Sequence, residues 1–147
     1  MKQLGIVLMI ALAWAGCKKE DSGFSEIPEI TFKSISDTEV VEFDNNVAVT
    51  FRYKDGNGDL GYADPDAYSL RIKDSRLEEY DWYHLPPVTP DMDELQVEGT
   101  FTVYLNTLFL LGNGGQESAD FTLQLRDRAG NWSNQIVTPV VLINDSL

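Results

Sequence analysis

The chemistry that most often marks a functional site is nearly missing here: one histidine, one cysteine, and only 11 Lys and Arg against 24 Asp and Glu in 147 residues. A lone His84 cannot build an imidazole cluster for zinc or copper, and no motif sets a serine beside it as a nucleophile. A lone cysteine leaves no partner for an intrachain disulfide. The formal net charge of −13 argues against a nucleic-acid partner, because phosphate binding needs a basic surface to displace counterions. It also argues against adsorption to anionic headgroups. Apolar runs stop short of the ~20 residues that a membrane-spanning helix needs, the longest being Leu4–Ala15. Long helical periodicity is absent as well. Carboxylates are abundant enough that paired-acid chemistry of glycosidase type stays formally open. With no marked nucleophile, base or ligand cluster beyond them, the expectation is a protein that is not an enzyme.

What is present begins at the N-terminus. Lys2 precedes the apolar Leu4–Ala15 segment, and Ala15 and Gly16 lead into Cys17. A short positive start, an apolar stretch and small residues are the layout of a signal peptide. "AGC" resembles the lipobox of bacterial lipoproteins, in which the thiol receives a diacylglycerol and cleavage leaves the cysteine first. Trp14 stands where leucine is usual in that motif. An ordinary secretory signal followed by a free thiol is the alternative. The resemblance implies a signal peptide over 1–16, lipidation of Cys17 and anchoring to a membrane through lipid. Lipoprotein processing adds two or three acyl chains, and two hold stably where one does not. The polar "KKEDSGFSE" has no core-forming pattern, so 17–26 reads as the lipidated cysteine and a flexible tether. Lys19-Glu20-Asp21 resembles the acidic export signal of Bacteroidota lipoproteins, which implies the outer membrane with the domain facing the cell exterior; the periplasmic face is the alternative.

From residue 27 to 147 the dominant signal is alternation. Val47, Val49, Phe51 and Tyr53 fall on one face of a strand, as do Tyr68, Leu70 and Ile72. Leu95, Val97, Phe101, Val103 and Leu105 form a third such set, and Phe121, Leu123 and Leu125 a fourth. Period two with one polar face is the signature of half-buried antiparallel strands. "EITFKSI", "EEYDWYHL" and "QIVTPVVLI" add three more, and Pro139 demands an edge or a bulge in the last. "TLFLLGNGGQESA" reads as one helical turn followed by a glycine-rich loop. The expected fold is all-β: a single immunoglobulin-like antiparallel β-sandwich of about seven strands.

The richest local pattern is "RYKDGNGDLGYADPD", Arg52 to Asp66. Asp55, Asn57 and Asp59 set three oxygen ligands at alternate positions of a tight loop, and Asp66 falls at the twelfth position from Asp55. Six to eight oxygens at flexible angles is what calcium takes, so the spacing suits it better than zinc or copper. Leu60 stands where an EF-hand needs glycine, and no flanking helices are expected, so the loop is not an EF-hand. In an immunoglobulin-like sandwich "RDRAGNWSN" joins the last two strands at the same pole, which brings Asp127 and Asn131 toward Asp55 and Asp59. Carboxylates converging there repel one another unless a cation joins them. The competing account is a bare turn, since Asn-Gly and Asp-Gly reach positive φ cheaply and aspartate caps such turns.

"DGNGDLG", "LPPVTP" and "DRAGNWSN" together resemble short Bacteroidota lipoproteins of uncharacterised activity, and "DRAGN" before a strand is similar to many bacterial immunoglobulin-like surface domains. The resemblance implies an address and a fold, and no mechanism. Function is then expected to be a non-catalytic binding or interaction module with a protein or glycan ligand; a structural spacer in an envelope complex is the alternative. Trp132, at the tip of the polar loop, is the first candidate contact, followed by Trp82 and Tyr83 in "EYDWYHLPP". The competing account puts those aromatics in the core.

Overall fold

A computed structural model describes residues 23–44, 46–89 and 95–146. The expected signal peptide, Cys17 and the Lys19-Glu20-Asp21 signal lie outside the described residues. The last residues assigned to the tether are held: the Ser25 carbonyl accepts from the Gly56 N–H at 2.7 Å, and Lys54 Nζ lies 5.3 Å over the Phe24 ring. The chain therefore enters the fold beside the acidic loop.

Among the described residues no helix forms, and the fold is all-β. Ten strands follow in order: β1 (Glu29–Ile35), β2 (Glu39–Val41), β3 (Ala48–Asp55), β4 (Leu70–Asp74), β5 (Asp81–Tyr83), β6 (Val97–Tyr104), β7 (Gln116–Ala119), β8 (Phe121–Leu125), β9 (Ile136–Val137) and β10 (Val141–Asn144). The first sheet is β1-β3-β6, antiparallel throughout, with Val49 opposite Val103 and Phe51 opposite Phe101. Its outward face is polar, and Thr50 and Thr102 share a hydroxyl hydrogen bond of 2.8 Å across the ladder. A second sheet, β5-β4-β8-β9, pairs Leu70 with Leu125 and Ile72 with Leu123. The third runs β2-β10-β7, with β2 parallel and β7 antiparallel to β10.

Only Asp120 separates β7 from β8, and Pro139 lies in the three residues between β9 and β10. Two longer chain runs are therefore shared between these sheets, β7–β8 passing from the third to the second and β9–β10 from the second to the third. Proline cannot donate to a ladder, and the break in the last run falls where it sits. One core fills the interior. Val49 and Phe51 from β3 meet Leu70 and Ile72 from β4, Leu123 and Leu125 from β8, and Val141 and Ile143 from β10, all buried.

Alternation located the core well, with exceptions at strand ends. Tyr68 and Leu95 are exposed rather than inward-facing, because their strands begin two residues later, at Leu70 and Val97. The helical turn expected in 107–119 does not form. There the backbone donors go to side-chain carboxylates: Leu110 N–H to Glu42 Oε2 at 3.1 Å, and Leu111 and Gly112 N–H to Glu117 at 3.0 and 2.7 Å. These bonds satisfy the groups that would otherwise close helical rings.

Candidate metal centre and aromatic groove

Asp55 ends β3, and the chain then turns tightly through Gly56–Gly61. Two of these glycines are required. Gly58 and Gly61 have φ of 72° and 77°, and a Cβ on Gly61 would collide with the Pro86 carbonyl oxygen. Leu60, between them, is fully buried and forms an isolated antiparallel bridge with Asp127. An apolar anchor in a polar loop thus fastens it to the segment after β8. Arg128 N–H donates to the Asp59 carbonyl at 3.0 Å, and Arg128 Nη1 donates to the Gly61 carbonyl at 3.0 Å.

That fastening brings Asp55, Asp59 and Asp127 together, with one carboxylate oxygen from each lying within 4.8 Å of the others. Asp55 and Asp127 are fully buried. Asp55 Oδ2 accepts from the Asp59 N–H at 3.1 Å, and Asp59 Oδ2 from the Ala129 N–H at 3.1 Å. Both oxygens of Asp127 are held by Asn131, its N–H at 2.6 Å and its Nδ2 at 2.8 Å. Asn131 therefore orients Asp127. Three side-chain oxygens of the loop are left buried without a hydrogen-bond partner: Asp55 Oδ1, Asn57 Oδ1 and Asp59 Oδ1. Burial, followed by the charge of Asp59, pushes the Asp55 carboxyl up to about 6. Burial and then the charge of Asp127 raise Asp59.

Three converging carboxylates make an all-oxygen donor set, which fits a hard cation and not a soft one. The residues present can hold a metal ion. Asp66 does not join them. It is exposed, its N–H donates to Asp64 Oδ1 at 3.0 Å, and it lines a groove instead. The twelve-residue spacing that suggested Asp66 belongs to a loop followed by a helix, and here no helix turns the chain back.

The groove is open, about 520 Å³, and is lined by Tyr62, Asp66, Ala67, Tyr68, Trp82 and Arg126. Trp82 is 45% and Tyr68 46% exposed. Trp132 is not the free tip that its place after Gly130-Asn131 suggested. It is half-buried, with Arg71 Cζ 4.0 Å and Arg126 Cζ 5.3 Å from its ring centroid and the Trp82 ring 6.0 Å away. An isolated bridge between Arg126 and Trp132 turns the indole back against the sheet. Tyr83 does not join the groove. Successive strand residues point to opposite faces, so it leaves Trp82 behind and lines a separate cavity of about 270 Å³, its hydroxyl accepting from Asn106 N–H at 3.2 Å. In that cavity Arg76 is committed to Asp74 and Glu117, each at 2.7 Å. His84 has a structural role as well. Its Nδ1 lies 3.0 Å from the Ala67 carbonyl, which can only accept, so the proton sits on Nδ1 and the contact steadies the groove wall.

Arg126 and Tyr62 were not singled out by sequence reasoning. Arg126 carried one signal, its place on the outward face of the Phe121–Leu125 alternation; Tyr62 carried none. Fold and site together define an all-β domain with an acid-walled loop pole capable of holding a cation. No family model, curated protein or solved structure matches the chain.

Proposed function

We propose that this chain is a membrane-anchored, non-catalytic binding module whose loop pole is cross-linked by calcium. The observation that carries the metal reading is Asp55: its side chain is fully buried beside two other carboxylates, and Oδ1 has no partner. A buried carboxylate oxygen left without a donor costs free energy unless something positive reaches it. Calcium answers that cost with flexible all-oxygen coordination, whereas magnesium demands a stricter octahedron. Its ligands would be Asp55, Asp59 and Asp127, with the Asn57 carbonyl as a fourth. Bound there, the ion would tie the loop after β3 to the loop after β8.

An immunoglobulin-like sandwich is the finer reading of the fold. The strand orders β1-β3-β6 and β5-β4-β8-β9, with β2 parallel to the last chain run, support it. Lipidation at Cys17 supplies the anchor in this reading, on the bacterial outer membrane and facing outward. Because Phe24 and Ser25 dock at Lys54 and Gly56, the tether leaves from the cation pole. Titration of chelator-treated protein with calcium in a calorimeter tests the metal: one site per chain is expected, lost in Asp59→Ala, and no heat beyond dilution refutes it. A spacer subunit of an envelope complex is the second reading. It is favoured by the exposed, stacked Phe43–Phe109 pair, at 5.9 Å and 1° between planes, which an obligate partner would cover.

A further inference from the structure

We propose that the groove bounded by Tyr62, Tyr68 and Trp82, with Arg126 and Asp66 as its polar groups, is a saccharide subsite. The proposal rests on the binding-module reading and gives it a ligand class.

Arg126 is the telling residue. The chain carries 24 acidic side chains, yet neither ion pair among the described residues involves Arg126, and its Nε is buried without a partner. Its guanidinium is nevertheless placed over an aromatic ring, Cζ lying 5.3 Å from the Trp132 centroid. Arg71 lies over the same indole at 4.0 Å and over Tyr80 at 4.5 Å. Arg71 is in turn tied to Gln124 Oε1 at 2.6 Å, and Gln124 Nε2 donates to the Ser133 carbonyl at 2.7 Å. With Nε buried, the donors that Arg126 has left for a ligand are those of its two terminal Nη groups. A planar donor fork is thus held in place at the groove, its rotamer restricted before any ligand arrives.

The remaining lining says what such a fork would serve. Trp82 and Tyr68 present partly exposed rings, and the only aliphatic group in the lining is the Ala67 methyl. A peptide hot spot would seek a deeper apolar pocket. A pyranose instead offers a C–H face to an aromatic ring and hydroxyls that both accept and donate. Arg126 supplies donors and Asp66 an acceptor on the same groove. At about 520 Å³ the groove falls within the size range of small-ligand sites. Neutral and uronic-acid sugars share this chemistry and differ only in whether Arg126 takes a hydroxyl or a carboxylate.

The test uses tryptophan fluorescence of the full chain in a zwitterionic, sugar-free detergent, titrated in calcium and separately in chelator. The probes are maltohexaose, cellohexaose and xylohexaose for the neutral arm and hexagalacturonate for the acidic arm. A saturable change with at least one probe is expected, weakened about tenfold or more in Trp82→Ala and in Tyr68→Ala, and unchanged in Tyr104→Ala on the other sheet. Arg126→Lys should weaken hexagalacturonate more than a neutral probe, because the ammonium keeps the charge and loses the fork. Melting curves on the same samples keep the two readings apart. If wild-type protein with an intact transition, and a calcium response, binds none of the four probes at millimolar concentration, the saccharide subsite is overturned while the metal centre stands. Binding that Trp82→Ala and Tyr68→Ala leave untouched overturns it equally.

Discussion

Asp55→Asn is the sharpest test of the acidic pole, because it changes one charge and almost no volume. In the folded protein the Asp55 carboxyl is raised from 3.8 to about 6 by burial and by Asp59. A raised carboxyl binds its proton more tightly in the folded state than in the unfolded one. The Asp55 contribution to stability in chelator is therefore fullest below about pH 4, falls as pH rises between about 4 and 6, and stays reduced above that. Just over two pK units at about 1.4 kcal/mol each gives an upper bound of ~3 kcal/mol, and relaxation with water entry brings the working range to ~1–3 kcal/mol. Asparagine never pays that charge penalty: its Oδ1 can still accept from the Asp59 N–H, while its Nδ2 can face the neighbouring carboxylates. At pH 8 in chelator the variant should melt higher than wild type by roughly 3–10 °C, and at pH 4 the two should nearly coincide. Calcium should reverse the order. Wild type gains RT ln(1 + [L]/Kd), about 2.7 kcal/mol at a hundredfold excess over Kd, and the variant gains little. Differential scanning calorimetry at both pH values, with and without calcium, reads all four conditions. A variant that melts lower than wild type at pH 8 in chelator refutes the buried-charge argument, and one that responds fully to calcium refutes Asp55 as a ligand.

Other outcomes follow from the same geometry. Calcium affinity should fall about tenfold per pH unit below about 6, because binding must displace the Asp55 proton; a flat calorimetric profile from pH 7 to 5 contradicts this. Asn131→Ala should weaken calcium about tenfold without abolishing it, since Asp127 loses its side-chain orienting donor but keeps its charge; unchanged affinity in the same calorimeter shows that Asn131 does not position it. Leu60→Ala removes a fully buried anchor and should cost ~2–5 kcal/mol by urea denaturation, with calcium restoring part of that loss; a loss under ~1 kcal/mol shows that the bridge to Asp127 does not depend on it. Cys17→Ser should move the protein from the membrane fraction to the soluble one, and persistence with membranes after a salt wash rejects the lipid anchor.

The sequence alone determined the all-β class and most of the core, though not the strand count: β2 and β7 were not expected, and the last expected strand divides into β9 and β10 around Pro139. Period-two alternation places one side of each strand in apolar surroundings whatever it packs against, so Val47, Val49, Phe51, Leu123 and Leu125 were legible before any contact was known. It determined two of the acidic ligand candidates too, because Asp55 and Asp59 lie in one tight loop and their proximity is local. Other features required the tertiary structure. Asp127 was expected at this pole from the sandwich topology and does join the cluster, but the contacts that hold it there, the Leu60 bridge and the bonds from Arg128 and Ala129 to Asp59, belong to the folded chain; Asp66, closer to Asp55 in sequence, turns away because the chain after Gly61 runs toward β4 rather than into a helix. Trp132 follows a turn, which by composition reads as a tip, yet two arginines from neighbouring strands hold it down. The aromatic groove was illegible for the same reason: Tyr62, Tyr68, Trp82 and Arg126 come from separate parts of the chain, and only strand pairing sets their separations. Local pattern reports which face a side chain takes, but convergence depends on long-range pairing, and a single sequence does not contain that.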